Sequence, residues 1–543
     1  MPNEFQTAPR IATRARTVGG IVAMGVAALL GISGVWATSA VAQRIAPRVA
    51  GPAAATRRLK VVVVVFDGLR PDHVSSVRTP ALQAMGERGV ISRRHHSIFP
   101  TVTRVNASAL ATGTGPASHG ILDNTIYLPT VRADRSLNTG DAADMLFADS
   151  VLQGRLLTVP TLQDYLSPAG LRVVVASAGS SGSAYLLAGA GRAVTIGTDF
   201  VRPAALRPYV ERTLGPAAHD ASPNLAANAR AVDALLRVGV DSLNADVAYL
   251  WISDPDHTAH AAGLGSVMAD SSIRAADREF ARLLAGLAAR GLTNQVDVIV
   301  VSDHGFSTHA GRDAALPSAL AAFTGRVTVA GGAVYVRDGN PHTRAEVVRA
   351  LQASPAIGAI FTAPRASGTG PEAVEPGTLS YATVDWGHAR AGDVLFSADW
   401  SHAQNAVGII GRTEQGETAG HGTSSPYDIA ATFVAAGPHF KRGVTAPMPS
   451  SNADIVPTIL TLLGVPAAPE VTGRSLGELL TLVRAGLDTS VSRDSVVAAR
   501  LLDAPLLHYR TVLYRTRVGR IWYVDSTATT RTSDRSRPLK DQR

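Results

Sequence analysis

Acids and imidazoles fall just beyond apolar runs at several points of this sequence. Asp67 follows VVVVVF, Asp256 and His260 stand in DPDHTAH after VAYLWI, Asp303 and His304 follow VDVIVV, and His421 lies in a Gly420-His421-Gly422 turn. Singly each is ordinary, because an Asp at a strand end is commonly a turn residue and a lone His a core or surface one. Together they suggest chemistry. Asp256 and His260 are four apart, so one helical turn puts both on one face, where they can grip one ion. Asp303 and His304 are adjacent, and both reach one ion from an irregular loop though not from a strand. Three His and three Asp, with one further oxygen, make the ligand inventory for two borderline-soft cations such as zinc about 4 Å apart. Such a pair clamps the attacking and leaving oxygens of a phosphoryl displacement.

The further oxygen is sought in FPTVTRVNAS, residues 99–108, which leads into an Ala-rich helical stretch. A hydroxyl at a helix start meets free backbone N–H groups and the positive helix end, and a nearby cation lowers its pKa. Thr101, Thr103 and Ser108 compete for the role of nucleophile, and the plainer alternative is that all three cap the helix. The GSSGSAY segment, residues 179–185, reads as a flexible connection, with a phosphate-cradling or substrate-gating loop the alternative. Tyr127 and Tyr185 are candidates to stack on a substrate group, with packing in the core or at the rim the favoured alternative for either.

Five apolar, β-branched runs must position these residues: 59–66, 172–176, 247–252, 296–301 and 430–435. Helical patterns separate them. Thr79-Pro80 opens one helix that Gly89 closes, residues 266–290 form a long amphipathic one, and residues 451–463 another. The alternation predicts an α/β fold with a largely parallel central sheet flanked by helices, whose ligands bind beyond the carboxyl ends of the strands. Residues 57–480 are expected to form the catalytic domain. Within it, residues 315–411 turn to short strands, Gly-rich turns and one helix near 342–353, which reads as a smaller inserted cap. Residues 481–543 read as a C-terminal extension whose polar end, from Ser526, frays.

The 543 residues, 46% hydrophobic and 17% charged, describe a folded globular chain rather than a disordered one. The absence of cysteine excludes disulfides, thiolate metal sites and cysteine nucleophiles. Only Lys60, Lys441 and Lys540 are lysine, so no Schiff-base or phosphate-loop lysine lies in residues 61–440. The charge of +8 is spread over scattered arginines, a solvated basic surface rather than a nucleic-acid face. At the N-terminus Arg10, Arg14 and Arg16 precede an apolar run over 18–36 and then Ala40-Val41-Ala42. This predicts a secretory signal cleaved after Ala42 and a periplasmic or extracellular protein with no mature membrane span; a retained anchor is the alternative.

The segments FDGLRPD (66–72), FPTVTRVN (99–106), ATGTGPASHGILDN (111–124), DPDHTAH (254–260), SDHG (302–305) and GHG (420–422) together resemble the alkaline phosphatase superfamily. Within it they resemble the nucleotide pyrophosphatase/phosphodiesterase, or type I phosphodiesterase, branch, and they occur in that family's order. The resemblance implies an alkaline phosphatase-like fold. It also implies one zinc held by Asp256, His260 and His421, and another by Asp67, Asp303, His304 and the nucleophile. It selects Thr103 over Thr101 as nucleophile and makes Asn124 a phosphate-binding amide. Thr103 then attacks phosphorus in line, and water resolves the threonyl-phosphate. Two departures stand out. Arg104 replaces the aromatic residue that stacks on the base in the nucleotide-hydrolysing members, and its guanidinium can reach a substrate oxygen instead. The lysine used by related phosphomonoesterases is missing, which favours a diester. The expectation is an exported two-zinc phosphodiesterase or pyrophosphatase acting on small phosphate esters. A phosphomonoesterase or phosphonate hydrolase on the same scaffold is the alternative, and an inactive secreted binding protein the alternative of another class.

Overall fold

The computed structural model describes residues 58–311, 315–364, 374–482, 488–503 and 506–533. The expected signal segment and the last ten residues lie outside them. Six strands carry the argument: β1 (Val61–Phe66), β2 (Val90–His96), β3 (Val173–Ser177), β4 (Val247–Ile252), β5 (Asp297–Val301) and β6 (Ala430–Ala436). β1 is five valines and a phenylalanine, all buried, as a strand covered on both faces requires. It pairs in parallel with β4 on one side and β5 on the other, and β3 lies parallel to β4. Phe66 sits opposite Ile252 and Val65 opposite Val301, so these three strands stop level and release Asp67, Ser253 and Ser302 at one edge. That register is what gathers distant acids.

The ten-stranded sheet is largely parallel, out to the pairing of β2 with Val444–Ala446 at one edge, but it contains one reversed strand inside it. β6 runs antiparallel to both β5 and β2. An apolar run reports that a strand is buried but not which way it points, which is why the expected parallel sheet acquires this reversed strand. Helices cover both faces. Val267–Ala288, capped by the Ser266 hydroxyl on Ala269 N–H, presents Phe280 edge-on to Phe66 at 5.9 Å. The helix Pro80–Arg88 starts after Thr79 as expected, but Thr79 does not cap it. Asp277 of the long helix accepts from Ala81 N and Leu82 N at 2.9 and 3.0 Å, so a tertiary carboxylate does the capping.

Beyond Ala315 the chain forms a five-stranded sheet that includes Ala333–Val336, Ile357–Thr362 and Val394–Ala398, backed by the helix Pro341–Ala353. The polar stretch from Ser526, expected to fray, is ordered strand as far as Ser533. Val491–Asp503, Leu506–Val518 and Ile521–Ser533 form an antiparallel sheet of three long strands. Its threonines are β-branched, and Thr529 donates across the strands to Thr511 at 3.1 Å, so polarity there marks strand faces and not disorder. This sheet is tied to the main body by charge. His96 Nε2 lies 3.0 Å from Asp525, and the Tyr523 hydroxyl donates to Asp454 at 2.9 Å while accepting from Arg474. Among the described residues no helix is long and apolar enough to cross a membrane.

The turn that carries residues 115–124 toward the site is anchored by His119, which is fully buried. Its Nδ1 accepts from Ile121 N–H at 3.1 Å. Burial, with the positive charges of His388 and Arg390 nearby, holds its pKa down to about 3. A folded-state value below the unfolded one means that the stability is complete above about pH 6.5 and lost as the pH falls toward 3. At pH 5 the loss from this group is about 2 kcal/mol. We therefore expect the melting midpoint to drop less between pH 7 and pH 5 in His119→Gln than in the wild type; equal drops measured by calorimetry would contradict this assignment.

Candidate metal centre and nucleophile

Asp67 is the first residue past β1, and the turn behind it needs glycine: Gly68 has φ +69°, and a Cβ there would sit 3.0 Å from Asp256 Cβ. The absence of that methyl lets the two acidic loops close. Asp67 Oδ2 accepts from Trp251 Nε1 at 2.9 Å, and Asp303 Oδ1 accepts from Gly68 N at 3.1 Å. The remaining oxygens, Asp67 Oδ1 and Asp303 Oδ2, are buried and accept no hydrogen bond, and neither does Asp256 Oδ1. Asp256 opens the helix Asp256–Ala262, so His260 falls on its inner face one turn later. Asp254 is spent elsewhere, accepting from Asn224 N, Asn228 Nδ2 and the Thr258 hydroxyl.

Three imidazoles meet these oxygens. His304, His421 and His260 each point Nδ1 at a backbone carbonyl, of Gly305, Thr101 and Ala419, at 2.8, 2.8 and 3.1 Å. A carbonyl can only accept, so Nδ1 carries a proton and Nε2 is the atom turned inward, with a lone pair to offer when the ring is neutral. Asp256 Oδ1 lies 3.3 Å from His260 Nε2, 3.4 Å from His421 Nε2 and 3.9 Å from His304 Nε2. His304 Nε2 is also 3.2 Å from Asp303 Oδ2, 3.5 Å from Asp67 Oδ1 and 3.3 Å from Thr103 Oγ1. Ligand atoms therefore converge in two groups, Asp256 with His260 and His421, and Asp67 with Asp256 and His304. Asp303 stands beside the second through His304, and Asp256 belongs to both.

Burial and close charges set the electrostatics of this cluster. Burial, followed by the charges of Asp303 and Asp256, lifts Asp67 well above the usual carboxylate range. Burial presses His260 down, but Asp256 beside it prevails and pushes it up to about 9. His304 is likewise raised by Asp303 and Asp256 against burial. Burial, with His304 stacked beside it, holds His421 well below the usual imidazole value, so the cluster shifts its imidazoles in both directions.

Thr103 is the first residue of the helix Thr103–Thr112 and is buried. Its competitors are committed elsewhere. The Thr101 hydroxyl donates to Thr423 O at 2.8 Å and accepts from Gly422 N, and the Ser108 hydroxyl donates back to Arg104 O. Asn124 Oδ1 accepts from Arg104 N at 3.1 Å, which turns its Nδ2 away from the helix. Thr103, Arg104, Asn124, His260 and His421 all line one cleft of about 740 Å³. Tyr185 does not belong there. It is 2% exposed, donates to Asp149 and packs edge-on to Phe200, because its segment is the helix Ser181–Leu187 rather than a loop and turns the ring into the core. Tyr127 packs against Tyr335 and donates to Ala133 O.

Two residues at the site escaped sequence reasoning. Asn452 donates to Asp303 O at 2.8 Å and to Asn106 Oδ1 at 3.0 Å, and so braces the loop of Asp303 against the helix of Thr103. It precedes an apolar helix and reads as a cap, so only the fold reveals the role. His309 lines the cleft with Nδ1 on Gly416 O and a buried Nε2 that has no hydrogen-bond partner. Its spacing of five from His304 was the one available signal.

Comparison with known proteins bears on the family and the fold. At 24% identity over 250 residues the chain matches mouse ectonucleotide pyrophosphatase/phosphodiesterase family member 3, covering 45% of this chain and 24% of the relative. Rat family member 7 matches at 24% over 264 residues, with 48% and 52% covered. The chain thus spans about a quarter of the first relative and half of the second. Murine ectonucleotide pyrophosphatase/phosphodiesterase 5, solved as an inactive threonine-to-alanine variant with AMP, shares the fold at TM-score 0.53 and 19% identity, covering 78% of this chain and 100% of that one. The family model for type I phosphodiesterase / nucleotide pyrophosphatase matches residues 61–403, most of the chain. By that match, the chain belongs to the type I phosphodiesterase/nucleotide pyrophosphatase family, whose hydrolases act on phosphoric ester bonds.

Proposed function

We propose that this protein hydrolyses small phosphate esters, phosphodiesters or pyrophosphates, through a threonyl-phosphate on Thr103, with two divalent cations of the zinc type held by Asp67, Asp256, His260, Asp303, His304 and His421. The observation that carries this reading is the set of three buried carboxylate oxygens without hydrogen-bond donors, facing inward-turned Nε2 atoms and the Thr103 hydroxyl. Oxygen and imidazole donors without thiolate fit zinc, and these residues would hold it. When bound, such ions lower the pKa of a hydroxyl and offset charge on attacking and leaving oxygens.

The chain's own groups do the rest. Thr103 Oγ1, fixed at the first turn of its helix, forms the bond to phosphorus as the bond to the leaving oxygen breaks. Helix N–H groups favour negative charge there. Asn124, held by Arg104 N–H, has its Nδ2 free to donate to a nonbridging phosphate oxygen. Water then forms a new bond to phosphorus and Thr103 Oγ1 is released, so one water is consumed for each bond cleaved. The AMP complex of the murine neighbour supports a substrate of nucleotide size. Residues 315–411 act as the cap in this reading, lending Ile357 and Phe396 to the cleft wall. Residues 1–42 support export with cleavage after Ala42, to the periplasm or outside the cell.

Two outcomes follow. Thr103→Ala should lower turnover of bis-p-nitrophenyl phosphate by on the order of 10³-fold or more with the melting midpoint unchanged, and retained turnover would remove Thr103 as nucleophile. Prolonged chelation should abolish turnover and lower the melting midpoint, and zinc return should restore both at about two ions per chain. Full turnover in demonstrably metal-free protein would contradict the metal-dependent reading.

A further inference from the structure

Arg104 is the second residue of the helix that begins with Thr103. Its side chain stands between two cavities that meet at Thr103 and Asp256. One is the 740 Å³ cleft, and the other, of about 480 Å³, is lined by Ser180, Ser181, Ser183, Thr198 and His257. Of the five guanidinium donors a single one has a protein acceptor among the described residues: Nη2 donates to Ser180 Oγ at 3.2 Å. Nε is buried and has no partner. Among the described residues no carboxylate pairs with Arg104 within ion-pair distance, although the charges of Asp67, Asp256, Asp303 and Asp123 all act on it. The space it occupies is left by a glycine, since a Cβ on Gly140 would lie 2.4 Å from Nη2.

A half-buried, permanently charged group without a counter-ion is costly unless an anion comes to it. The three site carboxylates do not serve as that anion when they ligate cations, so the guanidinium next to the nucleophile is left with unused donors at the wall shared by the two cavities. We propose that Arg104 is a specificity-determining residue that reads an anionic phosphoryl oxygen beyond the two of a simple diester, and so directs the enzyme toward more highly charged substrates. This rests on the reading of Thr103 and the metal centre given above. The extra oxygen has two sources. It belongs to the reacting phosphorus in a phosphate monoester and to the neighbouring phosphorus in a pyrophosphate, for which the hydroxyl-lined cavity leaves room.

The test compares kcat/KM on p-nitrophenyl phosphate, methyl p-nitrophenyl phosphate and ADP for the zinc-loaded wild type, Arg104→Gln and Arg104→Lys. Loss of a charge-assisted contact predicts that Arg104→Gln shifts the ratio of charged substrate to methyl diester by about 100-fold, with partial recovery in Arg104→Lys. A shift on p-nitrophenyl phosphate alone places Arg104 on the reacting phosphorus, and a shift on ADP alone on its neighbour; either supports the proposal. An equal fall on all three substrates overturns it. Gly140→Ala, which leaves the charge in place and crowds Nη2, should move the same ratio in the same direction, and covers the case in which Arg104→Gln does not fold. Turnover of all three that survives Thr103→Ala would refute the nucleophile reading itself and is distinct from either outcome at Arg104.

Discussion

Three carboxylates brought within a few ångströms of one another repel, and in this protein each keeps one buried oxygen without a donor. Burial alone raises the cost of each charge, and neighbours of the same sign raise it further, as the displaced ionisation of Asp67 reflects. Backbone N–H groups and Trp251 satisfy only the other oxygens of Asp67 and Asp303. The sheet register, the glycine at 68, the inward-turned imidazoles and the buried amide of Asn452 all serve to hold this unfavourable arrangement together. Such strain is kept where a cation or a reacting group relieves it.

The central strands are chosen by the same constraint. β1, β4 and β5 are wholly buried, and the one carboxylate within them, Asp297, is engaged by His439, so the acids of the site come from the loops that follow these strands. Helix Thr103–Thr112 then approaches from the edge with its N-terminus toward the cluster, which supplies the hydroxyl where negative charge is best tolerated. The pairing of an acidic cluster with a helix start is what makes the centre asymmetric.

Much of this was legible in the residues. The apolar runs located the five main strands to within about two residues, because their shortness and their β-branched and aromatic content favour a buried strand over a buried helix. The spacing of Asp256 and His260 and the adjacency of Asp303 and His304 foretold a helix and a loop, and both are found. What escaped notice depends on tertiary neighbours. The reversed direction of β6 is set by its partners β2 and β5, not by its own composition. The Gly- and Ser-rich segment before Tyr185 reads as a flexible connection, yet it forms a helix capped by Ser180 that turns the ring into the core. The Ser- and Thr-rich end reads as a frayed tail until its threonines are seen to pair across a sheet. Asn452 and Asp277 carry no local sign that they brace a loop and cap a distant helix.

The central claim is that the orphaned oxygens exist to hold two ions beside Thr103. Anomalous diffraction at the zinc absorption edge, on crystals of the zinc-loaded protein, tests it most directly. Two peaks are expected, one among Asp256, His260 and His421 and the other beside Asp67, Asp303, His304 and the Thr103 hydroxyl. No peak at these residues, or one distant from Thr103, would contradict the account.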